Sequence, residues 1–361
     1  MSTPEVEPAP AAVAAERAVT FRWDLDKTYL RTEFESVRQL IRIPFESGAD
    51  KVHLPGVPEL IRALRRSALA RGERPYVFFL SASPPQIGAA IRQKLEIDGV
   101  EYDGITFKDQ LRNLMRGRFR SLTEQVGYKL AELLEARVRG PVAQREVLFG
   151  DDWESDPLIY SLYADVLAGA LDTERLRDIL GRLSVERAAI ARIEGAARTI
   201  GQSEVGELVA RIYINLERRT PPSRFHAFGA RLVPAFNSFQ TGASLYEIGL
   251  LDASGLPEIA GALIAQSGYT RERIRNSLDD LLRRGHLREE TLARVLQVLD
   301  RAEPARRARA AAWGGGLRAR LERWRERRAE ARRPIGMTPA GSAVDYDEIL
   351  RDWSRRGLRV R

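Results

Sequence analysis

The sequence predicts an α/β protein: a doubly wound, Rossmann-like parallel sheet followed by a mainly α-helical C-terminal region. Three observations point there. Short runs rich in β-branched and aromatic residues alternate with amphipathic helical patterns through residues 18–170. Three of those runs end on polar residues able to do chemistry, as ligand-binding edges of parallel sheets do. Beyond residue 170 the alternation fades and helical periodicity dominates.

The elements follow in order. Residues 1–17 are rich in Pro, Ala and Glu and are expected to be disordered. Ala18–Trp23 reads as a strand ending at Asp24, and a polar stretch runs on to about His53. Pro55–Arg71 reads as a helix with Leu60, Ile61, Leu64 and Ala68 on one face, its prolines fitting the first turn. Tyr76–Leu80 reads as a buried strand, followed by a helix that starts near Pro84 and Pro85. A short strand is expected at Gly104–Phe107 and a helix at 121–138, carrying Val126, Leu130, Leu133 and Leu134. Glu146–Phe149 is the next strand, ending at Gly150-Asp151, and a helix begins at Pro157–Tyr163. Ala164–Leu167 reads as an edge strand. Arg271–Arg284 and Glu289–Ala302 form an expected helical pair, and Asp345–Arg356 a last short helix ending at Gly357. The expected organisation is a disordered 1–17, a catalytic-type domain at 18–170, a helical region at 171–300, and a basic linker with short helices at 301–361.

Composition removes several function classes. The 361 residues include no cysteine, which excludes disulfides, Cys-ligated zinc and a thiol nucleophile. Three scattered histidines, His53, His226 and His286, argue against a His-rich metal site. No apolar run approaches the roughly 20 residues needed to span a bilayer. Acids and prolines stand at the N-terminus where a signal peptide carries a basic end and an apolar core, so a cytoplasmic location is expected. The net charge of +8 is unevenly spread: residues 301–333 hold twelve arginines against four glutamates, and the other residues are close to neutral. Within that tail, Leu317–Arg333 can form a basic amphipathic helix carrying Trp324, which suits peripheral contact with a membrane. A solvated Arg/Glu helix explains the same pattern, and nucleic acid is a weaker candidate partner.

The three strand ends carry Asp24-Leu25-Asp26-Lys27-Thr28, Ser81-Ala82-Ser83, and Asp151-Asp152 with Asp156. In an open parallel sheet they converge at the carboxyl edge. Several carboxylates without histidine or cysteine favour a hard cation such as Mg²⁺. Two carboxylates spaced two apart diverge as a strand turns into a loop, so one can attack while the other handles protons. A hydroxyl from Ser81 and the cation of Lys129 suit the remaining oxygens of a phosphate. Taken singly, each residue has an ordinary explanation as a turn, a cap or a solvated face. Arg218, Arg219, Arg224 and His226 could contact an anion, but the first reading of them is as solvated or packing residues.

The ordered set resembles the four motifs of the haloacid dehalogenase (HAD) superfamily. More narrowly, it is similar to the actin-patch-type phosphatidate phosphatase catalytic domain. The similarity lies in Asp24-Leu25-Asp26-Lys27-Thr28 with Thr32, Pro55-Gly56-Val57-Pro58-Glu59-Leu60, Phe79-Leu80-Ser81-Ala82-Ser83-Pro84, and Gly150-Asp151-Asp152 through Asp156-Pro157 with Tyr160. Lys27 departs from the pattern where a third acid is usual, and Asp152 where a small Ser is usual. The resemblance implies a Mg²⁺-dependent phosphomonoesterase working through an aspartyl-phosphate. Asp24 would be the nucleophile and Asp26 the general acid and base. Lys129 would stabilise the nucleophile and the transferring group. Ser81 and Thr28 would serve the phosphate, Ser81 by donating to it and Thr28 by positioning Asp26. Asp24, the Asp26 carbonyl and Asp151 would hold the metal. Asp156 would support Lys129 or a metal-bound water, and Asp152 could compete for that role. The short spacings from Thr32 to Pro55 and from Ser81 to Lys129 leave no room for the large cap that superfamily members with small substrates carry. An open site suits a phosphate on something large, and the family tips this towards phosphatidate or a related phospholipid. The same chemistry on phosphoprotein or nucleic-acid ends, and a non-catalytic membrane- or nucleic-acid-binding protein, are the alternatives.

Overall fold

The computed structural model describes residues 17–30, 52–81, 87–107, 122–141, 143–153, 155–202, 206–302 and 343–355. Residues 1–16 of the stretch 1–17 expected to be disordered, and the amphipathic helix expected at Leu317–Arg333, lie outside the described residues.

Six strands form one parallel sheet. They are β1 (Ala18–Asp24), β2 (Arg74–Ser81), β3 (Gly104–Phe107), β4 (Arg145–Asp151), β5 (Val209–Asn215) and β6 (Leu232–Ala235). Their spatial order is β3-β2-β1-β4-β5-β6, every pairing parallel. The chain runs outward from β1 to β3, returns to place β4 beside β1, and runs outward again the other way. The order therefore reverses between β1 and β4, where open α/β sheets form their ligand crevice.

Alternation along the central strands sorts side chains into two cores. Val19, Phe21 and Trp23 of β1, Val77 and Phe79 of β2, and Val147 and Phe149 of β4 face one layer. That layer holds α1 (Val57–Ala70), α2 (Gly88–Ile97), α7 (Ser238–Glu247), α8 (Gly255–Ser267), α9 (Arg271–Arg283) and α10 (Glu289–Arg301). Leu80, Leu148, Ile212 and Ile214 face the other. There lie α3 (Leu122–Arg139), α4 (Asp156–Leu167), α5 (Thr173–Arg182), α6 (Arg187–Gly201), a 3₁₀ turn at Pro222–Phe228 and the C-terminal helix α11 (Tyr346–Arg355). Both faces of the sheet are covered, which explains the nearly unbroken apolar strands.

The ends of α1 show how local chemistry places an element. Gly56 takes φ 76°, a left-handed conformation that glycine adopts without steric cost. A Cβ there would lie 2.4 Å from Ser238 Oγ, which instead donates to the Pro55 carbonyl at 2.8 Å. Tight approach thus locks the start of α1 to the start of α7, both at the carboxyl edge of the sheet.

One expectation needs correction. Ala164–Leu167 is not an edge strand but the last turn of α4. Every residue of α4 is buried, and an apolar segment buried on all sides has no periodicity to separate helix from strand. The region after residue 170 is largely helical, yet it also supplies β5 and β6, which complete the same sheet. Pro234 sits in β6, an edge strand, where proline is tolerated. The pair α9 and α10 and the last helix α11 lie where the periodicity placed them.

Between β1, β4 and the α3/α4 layer lies a buried charge network. Glu146 accepts from Arg22 Nε at 2.7 Å, Arg137 Nη1 at 2.8 Å and Tyr163 OH at 2.8 Å. Burial pushes the Glu146 carboxyl up, but Arg22, Arg137 and Tyr163 together outweigh it and hold the group below its usual range. Removing one partner of a buried pair leaves uncompensated charge and costs about 3–5 kcal/mol. Glu146→Gln is therefore expected to destabilise the protein by about that amount at neutral pH, measured by denaturant unfolding. The carboxyl is depressed in the folded state, so its stabilisation is present above the unfolded value of 4.5 and is lost as pH falls through the folded value. The difference between wild type and Glu146→Gln should shrink in acid; a constant gap across that range would contradict the ionised network.

Candidate active site

A row of aromatic rings lies beneath the carboxyl edge. Trp23 stacks on Phe149 with centroids 3.6 Å apart and planes 2° from parallel. Phe149 in turn stacks on Tyr213 at 5.5 Å. The three residues are register partners across β1, β4 and β5. Side chains alternate along a strand, so the next residue of β1, Asp24, points to the opposite face, towards α3 and α4. This is how an apolar strand delivers a carboxylate to its end without exposing the core.

Lys129, on α3, reaches that carboxylate. Its Nζ donates to Asp24 Oδ1 at 2.8 Å and to Asp156 Oδ1 at 2.7 Å, and all three side chains are buried. Asp156 opens α4 directly before Pro157, and its Oδ2 accepts from the Asp151 N–H at 3.3 Å. Asp151 ends β4, and its Oδ1 accepts from the Trp153 N–H at 2.6 Å. Asp24, Asp151 and Asp156 each offer a carboxylate oxygen within 4.8 Å of the others. Three buried carboxylates around one ammonium carry excess negative charge, and a hard, oxygen-seeking cation fits this donor set. Burial and the carboxylates of Asp156 and Asp24 push the Tyr160 hydroxyl well above its ordinary value. It stays protonated and donates to the Phe149 carbonyl at 3.2 Å.

The other sequence candidates fall around this centre. Asp26 is buried two residues beyond Asp24, and its Oδ2 accepts from Ser81 Oγ at 3.0 Å. The Ser81 hydroxyl thus joins the ends of β1 and β2. Thr28 is buried, and its hydroxyl has no hydrogen-bond partner among the described residues. Asp152 points elsewhere: its carboxylate accepts from the N–H groups of Arg218 at 2.9 Å and Thr220 at 3.1 Å, capping the loop after β5. His53 is paired with Asp98 at 3.2 Å and stands near Gln266, neither of them a member of the carboxylate cluster. Burial, with Arg284 beside it, lowers His286 to about 3, so it is neutral at physiological pH. Ser83 lies outside the described residues.

Sequence reasoning missed Asn215 and Trp153, and it read Arg218 as a solvated or packing residue. Asn215 ends β5 and donates from Nδ2 to the Lys27 carbonyl at 3.2 Å, tying the loops after β1 and β5 together. Its signal was available: a polar residue closing an apolar run, as Asp24 and Asp151 do. Without β5 in the reading, that signal had no strand to end.

Residues 23–173, under half of the chain, match the family model described as the phosphatidate phosphatase APP1 catalytic domain. This is the family that the four motifs resemble. The match begins one residue before Asp24 and takes in Ser81, Lys129, Asp151 and Asp156, and it supports a phosphatase. β5 and β6 complete the sheet outside the matched segment. No curated protein and no solved structure matches the chain.

Close packing in the centre makes Gly150 a sensitive position. A Cβ there would lie 2.5 Å from Asp156 Oδ2 and 2.8 Å from Tyr160 Cε2. Gly150→Ala is expected to displace Asp156 from Lys129, destabilising the fold by about 1–3 kcal/mol and sharply lowering phosphatase activity. Thermal unfolding and a phosphate-release assay check both; unchanged activity would contradict this account of Asp156.

Proposed function

We propose that the protein is a HAD-type, Mg²⁺-dependent phosphomonoester hydrolase acting on phosphatidate or a related phospholipid through an aspartyl-phosphate. One observation carries the reading: Asp24, at the end of β1 beside the switch point, lies among buried carboxylates with Lys129 Nζ 2.8 Å from its oxygen. The match over 23–173 supports the substrate class.

In this reading an oxygen of Asp24 attacks phosphorus, and the bond from phosphorus to the alcohol oxygen breaks. Asp26 gives its proton to that departing oxygen. Water then attacks the aspartyl-phosphate phosphorus, Asp26 takes the proton it loses, and the Asp24 carboxylate leaves. Lys129 holds Asp24 in place and offsets charge on the transferring group. Ser81, as donor to Asp26, fixes the orientation of the acid. Mg²⁺, when bound by Asp24 and Asp151 with Asp156 beside them, supplies the charge that lets an anionic phosphate approach a carboxylate. The spacings from Thr32 to Pro55 and from Ser81 to Lys129 are too short for a large cap, and an uncapped site suits a phosphate presented at a lipid surface.

Asp24→Asn should abolish phosphate release from phosphatidate in the presence of Mg²⁺, and a chelator should abolish it in the wild type. Asp26→Asn should lower kcat by roughly 10²–10⁴, the usual contribution of a general acid–base. Full activity of Asp24→Asn would overturn the mechanism. A panel adding phosphopeptide and phosphorylated oligonucleotides tests the substrate class: faster turnover of either than of phosphatidate would replace the lipid.

A further inference from the structure

The rim of the carboxyl edge gathers aromatic and cationic side chains from separate loops. Among the described residues, the exposed large hydrophobic side chains include two aromatic ones, Trp153 at 42% exposure and Phe236 at 38%. Trp153 follows β4 and Phe236 follows β6, so both stand on the edge that carries the carboxylate cluster. The Lys27 Nζ lies 3.5 Å from the Trp153 ring centroid, and the Arg218 guanidinium carbon lies 4.5 Å from it.

The backbone is arranged to hold these groups there. Lys27 has φ 60° and Arg219 φ 56°, left-handed conformations that side chains other than Asn and Asp rarely adopt. Asn215 grips the Lys27 carbonyl, and Asp152 grips the N–H groups of Arg218 and Thr220. Arg218, Arg219 and Arg224 are exposed on the loop and turn after β5, with Glu217 as the exposed acid among them. Outside residues 301–361 the chain is close to neutral, so this concentration of cations is local. Beside Trp153 a cleft of about 370 Å³ opens past Arg218 and Arg224 towards Trp353, with Glu348 and Asp352 on its α11 wall.

We propose that this rim is a docking surface for a bilayer bearing anionic phospholipid headgroups. Docking there lays the carboxyl edge of the sheet, and the site in it, against the lipid. Indole rings settle at the headgroup level, and each nearby basic residue adds attraction to an anionic leaflet. The two aromatic side chains stand on different loops of the carboxyl edge, Trp153 beside the cleft that opens there. That layout fits a surface lying across the opening. A single-stranded polyanion is instead tracked by a groove with a succession of stacking rings. The functional meaning of the orientation rests on the phosphatase reading; the docking itself does not.

The test uses the full chain and vesicles of phosphatidylcholine with or without phosphatidylglycerol, a phosphodiester that is not a phosphomonoesterase substrate. The wild type should bind only the anionic vesicles. Arg219→Glu combined with Arg224→Glu should weaken that binding about tenfold or more. The same variant should hydrolyse a small soluble phosphomonoester at the wild-type rate and lose turnover of vesicle phosphatidate. Brominated lipid should quench tryptophan emission of the wild type, and Trp153→Phe should lose most of that quenching. Wild-type vesicle affinity in the double variant would overturn the proposal, as would rim-dependent binding of an oligonucleotide without binding of anionic vesicles. If the phosphatase reading alone fails, no phosphomonoester is hydrolysed while phosphatidylglycerol vesicles still bind through the rim.

Discussion

Lys129 is the constraint around which the centre is organised. Its ammonium is buried between Asp24 and Asp156, and neither carboxylate is exposed. Isolated charges at such depth are very costly, so each group needs the others in place. The three come from β1, α3 and α4, elements that meet only once the sheet and its α3/α4 layer have assembled. Geometry at the centre and stability of that layer are therefore two aspects of one interaction.

The supports of this interaction lie on both faces of the sheet. On one face, the row Trp23, Phe149 and Tyr213 fixes the register of β1, β4 and β5 and so the height at which Asp24, Asp151 and Asn215 emerge. Aromatic pairs of this kind add about 0.5–1.5 kcal/mol beyond their buried area. On the other face, Arg22, Glu146, Arg137 and Tyr163 bind β1 and β4 to α3 and α4. The reversal of strand order between β1 and β4 leaves an opening at their carboxyl ends, and the chain places its carboxylates there. The cationic rim lies outside them, exposed on the loops of the same edge.

Much of the centre was legible because its residues are short-range features of strand ends. Asp24, Ser81 and Asp151 each close a run of apolar residues, and a parallel sheet brings such ends together. Lys129 was legible only through its place in the ordered motif set, since a lysine among Val126, Leu130 and Leu133 otherwise reads as a solvated face. Ser81 shows the limit of that reasoning: its type was informative, but its bond to Asp26 depends on a register that spacing does not encode. Asp152 shows the same limit, because its partners lie on a loop whose strand was not recognised.

By itself, the sequence determined the fold class, the first four strands and the acids that end two of them, Asp24 and Asp151. Periodicity and polar punctuation are local properties that survive without a structure. Tertiary structure decided the rest. It made 164–167 helical because burial on every side erases the difference between an apolar helix and an apolar strand. It brought 209–215 and 232–235 into the sheet through parallel pairing, a contact between distant segments. It also turned Lys27 and Arg218, two unrelated surface residues in the linear chain, into neighbours on one indole. Such proximity follows from packing, and no local pattern carries it.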